Sequence, residues 1–263
     1  IANGLVGTNT FGGVTMINVS MVTPTLEELS AFDSILVYSI DPYKDAKSLG
    51  NVVSEYVLSG GGVVTASHES NTHSLQGEWI KQKLNVYEHD DNYKEAKHSM
   101  GNVLIEGHPI LAKVKSFKGN SLHARKKNPL NGKIVSKWTD GSPLVTIRNG
   151  NEKIVDLSFW PVSDKAHDLG YFSGWDSSTD GWQLIANSLS WATLGSTPEW
   201  LNGTPLSDNV EGNSQEDMVL TIDAKNLEVG DYFAEIQFTS NDPFNSFTVV
   251  EVNLTVKENQ PPV

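Results

Sequence analysis

The 263-residue chain contains no cysteine. That absence excludes disulfide bonds, thiolate metal sites and a thiol nucleophile. Long apolar runs are also missing, since stretches such as residues 35–38 are far shorter than the ~20 residues of a membrane-spanning helix. The sequence opens on Ile1-Ala2-Asn3-Gly4, with no starting methionine, basic end or apolar run, so we recognise no signal peptide. We expect the chain to be an internal piece of a longer precursor.

Charge is unevenly distributed along the sequence. Residues 1–195 carry 17 Lys and Arg against 20 Asp and Glu, a net charge of −3, whereas residues 196–263 carry 2 against 12, a net charge of −10. This shift predicts two domains, 1–195 and 196–257, followed by a polar, proline-containing linker over 258–263. The acidic part repels nucleic acid and anionic membranes, so we expect neither as a partner.

The first domain alternates between strand and helix patterns. Continuous apolar runs predict buried strands over residues 14–19, 34–38 and 63–66. Helical periodicity predicts helices over residues 25–29, 46–58, 77–84 and 180–192, the first with Thr25 and Glu28 as a capping box. An Asn149-Gly150 turn predicts a hairpin of residues 142–148 with 153–158. Together these elements predict an α/β, flavodoxin-like fold with a mainly parallel sheet and flanking helices.

The second domain has a different pattern. Residues 218–224, 230–239 and 247–256 alternate between apolar and polar side chains and are separated by turn-rich segments. Short alternating strands of this kind predict an all-β, Ig-like sandwich. The segments 226–232 and 238–243 resemble the short Ig-like repeats of bacterial exoproteins. That resemblance implies a secreted or cell-surface location within a multidomain bacterial protein.

Four segments of the first domain carry a second resemblance. They are residues 29–37, 56–64, 107–110 and 184–192, with Gly60-Gly61-Gly62 and Gly107-His108-Pro109 among them. In this order they resemble the class I glutamine amidotransferase-like superfamily, in particular its ThuA-like branch. The first strand of that family has no counterpart here, which implies an unpaired sheet edge. Such an edge is an association site, so we expect it to be completed non-covalently or the fold to be marginal.

The resemblance also locates the position of a catalytic nucleophile. Members of the family place a cysteine in the turn after the strand that corresponds to residues 63–66. Here that turn carries Ser67, His68 and Glu69. These are the candidate catalytic or ligand-contacting residues, because ligands bind at the carboxyl ends of strands in open α/β sheets. Their flanks do not form the G-x-S-x-G elbow that exposes a nucleophilic serine, so a structural turn is the favoured interpretation.

Two groups of polar residues suggest metal sites. The histidines and aspartates of the first group are His68, His73, His89, His98, Asp90 and Asp91, and none has the H-E-x-x-H spacing of a zinc site. Asp176 and Asp180 are candidate calcium ligands, since calcium prefers oxygen donors. Aspartates in turns more often cap backbone groups, and we expect no cofactor other than possible calcium.

A basic tract and an aromatic loop suggest glycan binding. Residues 107–139 contain no acidic side chain and eight lysines and arginines, among them Lys126 and Lys127. Trp160 and Trp175 lie at the two ends of a loop, where their indole rings would stack on sugar rings. The alternatives are a solvated basic edge and aromatic side chains that fill the sheet face.

These observations favour a non-catalytic accessory or interaction region of a larger protein. The expected partners are neighbouring domains of that protein, a glycan or another extracellular protein. The alternatives are an accessory region of a secreted subtilisin-like protease, a serine hydrolase at Ser67-His68-Glu69, and a glycan-binding module.

Overall fold

A computed structural model describes most of the chain: residues 1–66, 73–87, 96–121, 128–150, 153–165, 174–194, 200–205, 208–211, 214–239 and 247–258. The chain divides into two compact units, Ile1–Ser196 and Thr197–Val263. In the described part of the chain, no helix has both the length and the apolar character needed to cross a membrane.

The first unit is mixed α/β. Its described helices are α1 (Ala2–Val6), α2 (Leu26–Leu29), α3 (Ala46–Leu58), α4 (Glu78–Lys81), the 3-10 helix Pro109–Leu111 and α5 (Gly181–Leu194). Its strands are β1 (Ser34–Tyr38), β2 (Gly62–Ala66), β3 (Ala96–Val103), β4 (Lys118–Ser121), β5 (Gly132–Trp138), β6 (Pro143–Arg148) and β7 (Ile154–Leu157).

Local sequence signals account for the predicted helices. The capping box of α2 is present, because the Thr25 hydroxyl accepts from the Glu28 amide while the Glu28 carboxylate accepts from the Thr25 amide. The bounds predicted for α3 are confirmed, and the Asp45 carboxylate caps its first turn. At Gly50 on this helix a Cβ atom would lie 1.9 Å from the Gln76 carbonyl oxygen, so the close approach requires glycine.

The seven strands form one sheet in the order β1-β2-β7-β6-β5-β3-β4. Only β1–β2 and β2–β7 are parallel pairs, and the other four pairings are antiparallel. The prediction of a mainly parallel sheet is therefore wrong, because most of its strand pairs are antiparallel. The predicted β6–β7 hairpin is confirmed. The difference arises from β3, β4 and β5, whose sequences lack the continuous apolar runs of β1 and β2.

The two faces of the sheet cover separate cores. On β1, Leu36 and Tyr38 pack into the core that contains α1 and α5, whereas Ile35 and Val37 pack into the core that contains α2 and α3. This alternation follows from the period-2 geometry of a strand with helices on both sides. The parallel part of the sheet is therefore the middle of three layers.

The second unit contains four described strands. β8 (Leu201–Thr204) pairs antiparallel with β9 (Val219–Ile222), and β10 (Gly230–Thr239) pairs antiparallel with β11 (Phe247–Val256) over ten residue pairs. Trp200 is buried, and its ring lies 6.3 Å from that of Tyr232. In its described residues the second unit is thus built from two antiparallel strand pairs.

Candidate functional site

The predicted catalytic turn follows β2 directly. Ser67, His68 and Glu69 lie outside the described residues, as do the glycan candidates Lys126 and Lys127. Near the end of β2, the Ser39 hydroxyl donates to the His73 carbonyl oxygen over 2.8 Å. This bond joins the segment after β1 to the segment before α4.

Polar side chains within the sheet bond to one another. The Thr65 hydroxyl on β2 donates to the Asp156 carboxylate on β7 over 2.9 Å, and these residues are paired across the strands. On the neighbouring strand, the Thr146 hydroxyl lies 2.6 Å from the Tyr87 hydroxyl. These groups satisfy each other in buried surroundings, which is a structural role for polar residues inside a sheet.

The aromatic candidates for glycan binding are buried. Trp160 is 4% exposed and Trp175 is 1% exposed. The Trp175 ring packs edge-on against Trp182 at 5.0 Å between centroids, with Phe117 at 6.2 Å. Burial favours the alternative in which these two indoles fill the sheet face, and sugar stacking by Trp160 and Trp175 stays a prediction.

The calcium candidates hold backbone groups. Asp180 Oδ2 accepts from the amides of Lys115 and Ser116, over 2.8 and 2.9 Å. Asp176 Oδ1 accepts from both the amide and the hydroxyl of Ser178, and these bonds lower the pKa of the Asp176 carboxyl. Both carboxylates thus have the capping role common in turns, and calcium binding there stays a prediction.

The histidines do not assemble into a metal site within the described residues. No three His, Asp or Glu side chains converge there as ligands. His98 Nε2 lies 3.1 Å from an Asp140 carboxylate oxygen, which makes a pair rather than a cluster. His68, His89, Asp90 and Asp91 lie outside the residues that the structure describes.

A cleft suited to binding runs along the outer side of β1. We name this feature, about 480 Å³ in volume, the β1 cleft. Its lining includes β1, the segment from Gly13 to Ser20, and side chains from both helical layers. The only charged side chain in the lining is that of Asp41, just after β1. Burial raises the pKa of Tyr38, one of the residues that line the cleft.

Both helical layers extend past the sheet to form the walls of the β1 cleft. Leu5 of α1 and Leu189 of α5 belong to one core, and Leu49 and Val53 of α3 belong to the other. The cleft therefore lies at the level of the sheet, between two apolar layers. This is the position that the next strand beyond β1 would occupy.

The backbone of β1 is paired on one side only. Among the described residues its only strand partner is β2. The Asp33 carbonyl accepts from the Gly62 amide, which directs the backbone groups of Ile35 and Val37 toward β2 as well. Because successive residues of a strand alternate, the amide and carbonyl groups of Ser34, Leu36 and Tyr38 face the cleft.

Residues 13–20, an extended segment, also line the β1 cleft. The sequence predicts a strand over residues 14–19, yet the structure assigns none there. Val14 nevertheless packs into one core and Val19 into the other, as alternate side chains of a strand would. Among the described residues, the segment 14–19 makes one backbone hydrogen bond to a distant segment, in which the Lys44 amide donates to the Val19 carbonyl over 2.9 Å.

Sequence reasoning located part of this site. The apolar runs at residues 14–19 and 34–38 identified two segments that line the cleft. The cleft itself was missed, because apolar periodicity does not report the distance between two segments. Comparison with protein-family models gives no match, and comparison with curated proteins gives none either.

Proposed function

We propose that this chain is a non-catalytic interaction region of a larger secreted or cell-surface bacterial protein. The observation that carries the proposal is the β1 cleft, whose lining contains apolar side chains, a single carboxylate and the edge of β1 that pairs with no other described strand. Such a lining suits a contact surface, whereas catalytic sites bring together several titratable groups of perturbed pKa. The partner is accordingly another polypeptide, from a neighbouring domain or a second extracellular protein.

Two further features support a non-catalytic role. The absence of cysteine removes the nucleophile of the amidotransferase-like superfamily. In addition, Thr65 and Asp156, on the strands that lead to the candidate turn, are engaged with each other. This pairing gives the Asp156 carboxylate a structural role within the sheet.

The finer fold assignment is part of the same proposal. We assign the first unit to a divergent flavodoxin-like, amidotransferase-like architecture, supported by the parallel strands β1, β2 and β7 between two helical layers. We assign the second unit to an Ig-like module, supported by its antiparallel pairs and alternating sequence. Modules of this kind are spacers, which fits an interaction role.

The proposal is tested by an esterase assay on the full chain. Hydrolysis of p-nitrophenyl acetate is compared between the native chain, the Ser67→Ala/His68→Ala double variant and a Ser70→Ala control in the same turn. We expect all three rates to equal the rate in buffer. A native rate that exceeds that of the double variant by ~100-fold, the range of a positioned acid–base group, would establish the hydrolase alternative.

A further inference from the structure

We infer that the β1 cleft binds an extended peptide strand, which pairs with β1 and extends the central sheet. This inference rests on the proposed interaction function and names the partner's chemistry. The partner is a strand with apolar side chains on both faces over about five residues, the length of β1.

The backbone of β1 supplies the hydrogen bonds for such a partner. The amide and carbonyl groups of Ser34, Leu36 and Tyr38 face the cleft, and β2 is the only described strand that pairs with β1. Strand addition at a sheet edge derives its affinity from these main-chain bonds. A ligand without backbone donors and acceptors leaves this row of polar groups unsatisfied in a partly apolar cleft.

The two cores determine the partner's side chains. The walls are Leu5 and Leu189 on one side and Leu49 and Val53 on the other. A strand between them buries the side chains of both its faces, so it must be a continuous apolar run such as β1 and β2 themselves. An amphipathic strand with alternating charges would bury those charges against one of the two walls.

A second extended segment lines the same cleft. Residues 13–20 are part of the lining, and Val14 and Val19 pack against opposite cores. Met16 in this segment is 53% exposed, although the segment lies beside two hydrophobic cores. A strand in the cleft has neighbours on both sides, with β1 along one edge and residues 14–19 along the other.

Charge specifies the partner's flank. Asp41 follows the carboxyl end of β1 and is the one charged side chain in the lining. A lysine or arginine at the adjacent end of the bound strand therefore finds an opposite charge, whereas an acidic flank is repelled. The partner is thus an apolar strand with a basic rather than an acidic end.

Peptide binding to the full 263-residue chain tests the inference. The probe is a fluorescently labelled peptide of five consecutive Val and Ile residues between paired lysines. Its matched control carries N-methyl groups on alternate residues of the run, which removes donors while the side chains stay the same. We expect the probe to bind in a fluorescence anisotropy titration and the methylated peptide to bind at least about tenfold more weakly, because main-chain bonds are lost.

Two glycines offer a matched pair of protein variants. A Cβ atom at either Gly12 or Gly13 would have no heavy atom within 4 Å, yet only Gly13 lines the cleft. Gly13→Phe adds a ring at the cleft wall, and Gly12→Phe adds the same ring beside it. We expect Gly13→Phe to weaken the probe at least about tenfold and Gly12→Phe to leave it within about twofold, with unchanged circular dichroism for both.

Several results would overturn the inference. The first three are a probe that does not bind, a methylated peptide that binds as tightly as the probe, and two glycine variants with equal effects on probe binding. The fourth is sedimentation that shows a dimer formed through β1, from which the probe is excluded. The methylated peptide is measured with the native chain, so it tests the inference even where a glycine variant fails to fold. Absence of probe binding overturns this inference alone. Ester hydrolysis by the native chain that the Ser67→Ala/His68→Ala variant no longer shows overturns the proposed function alone.

Discussion

Thr65 on β2 and Asp156 on β7 are directly paired residues, and the Thr65 hydroxyl donates to the Asp156 carboxylate over 2.9 Å. Thr65 is buried, so this bond is made in the interior of the first unit. It lies on the strand that leads to Ser67. We regard it as part of the scaffold that holds the parallel strands together.

Removal of this bond is expected to destabilise the first unit. Thr65→Val keeps the shape of the side chain but removes the hydroxyl that donates to the Asp156 carboxylate. We expect a loss of about 1–3 kcal/mol, the range for a buried hydrogen bond to a charged group, seen as a thermal midpoint lower by roughly 3–10 °C. A midpoint within about 1 °C of the native value would show that this bond contributes little to stability.

Asp180 provides a second stability prediction. The Asp180 carboxylate ties the start of α5 to a distant segment, because it accepts from the amides of Lys115 and Ser116. Asp180→Ala removes this acceptor. We expect a cost of about 2–3 kcal/mol, measured by urea unfolding.

Asp176→Ala is the matched control for Asp180→Ala. The Asp176 side chain bonds to Ser178, only two residues away and exposed, so we expect a clearly smaller loss of stability than for Asp180→Ala. Equal losses for the two variants would contradict the structural role assigned to Asp180. A rise in the thermal midpoint with added calcium, abolished in both variants, would support the calcium prediction.

The capping box of α2 gives a third prediction. Thr25→Ala removes the hydroxyl that accepts from the Glu28 amide, at a helix whose Leu29 lines the β1 cleft. We expect a loss of about 1 kcal/mol in the free energy of unfolding. Thr25→Ser retains the hydroxyl and should recover most of that loss, so equal stability of the Ala and Ser variants would contradict the cap.

His108 makes stability depend on pH. Burial lowers the pKa of His108 to about 4, and its Nδ1 accepts from the Ile110 amide while its ring packs 5.5 Å from that of Trp191. The folded pKa lies below the unfolded value of about 6.5, so the unfolded chain binds more protons between these values. Stability should therefore fall as the pH drops from about 6.5 to about 4.

His108→Asn measures this contribution. The asparagine keeps an acceptor for the Ile110 amide but does not titrate, so the fall in stability between pH 6.5 and 4 should be smaller in the variant. We expect the difference to be about 1–2 kcal/mol, because solvent partly screens the half-buried ring. Identical pH profiles for the two chains would contradict a buried neutral His108.

The sequence predicts those elements whose signals are local. The cap at Thr25, the helical stripe of α3 and the apolar runs of β1 and β2 all depend on near neighbours, and each is confirmed. α4 is shorter than predicted, since only Glu78–Lys81 is helical. Helix periodicity over so few residues does not fix where a helix ends.

Strands β3, β4 and β5 were missed for a physical reason. On β5, Val135 and Ser136 are buried whereas Lys133 is exposed, and the strand lies in a tract whose charged side chains are all basic. In a sequence, such lysines indicate an exposed segment rather than a strand. In the structure they belong to a strand of the sheet. The segment 14–19 is the opposite case: it has a strand sequence, yet it pairs with no strand among the described residues, because pairing depends on what lies beside a segment.

Backbone amide exchange on β1 tests the strand slot most directly. The amides of Ser34, Leu36 and Tyr38 face the β1 cleft, whereas those of Ile35 and Val37 bond to β2. We expect the first three to exchange at least about tenfold more slowly when the lysine-flanked apolar peptide is added, with little change at the other two. Unchanged exchange at all three, with the peptide bound, would contradict pairing along β1.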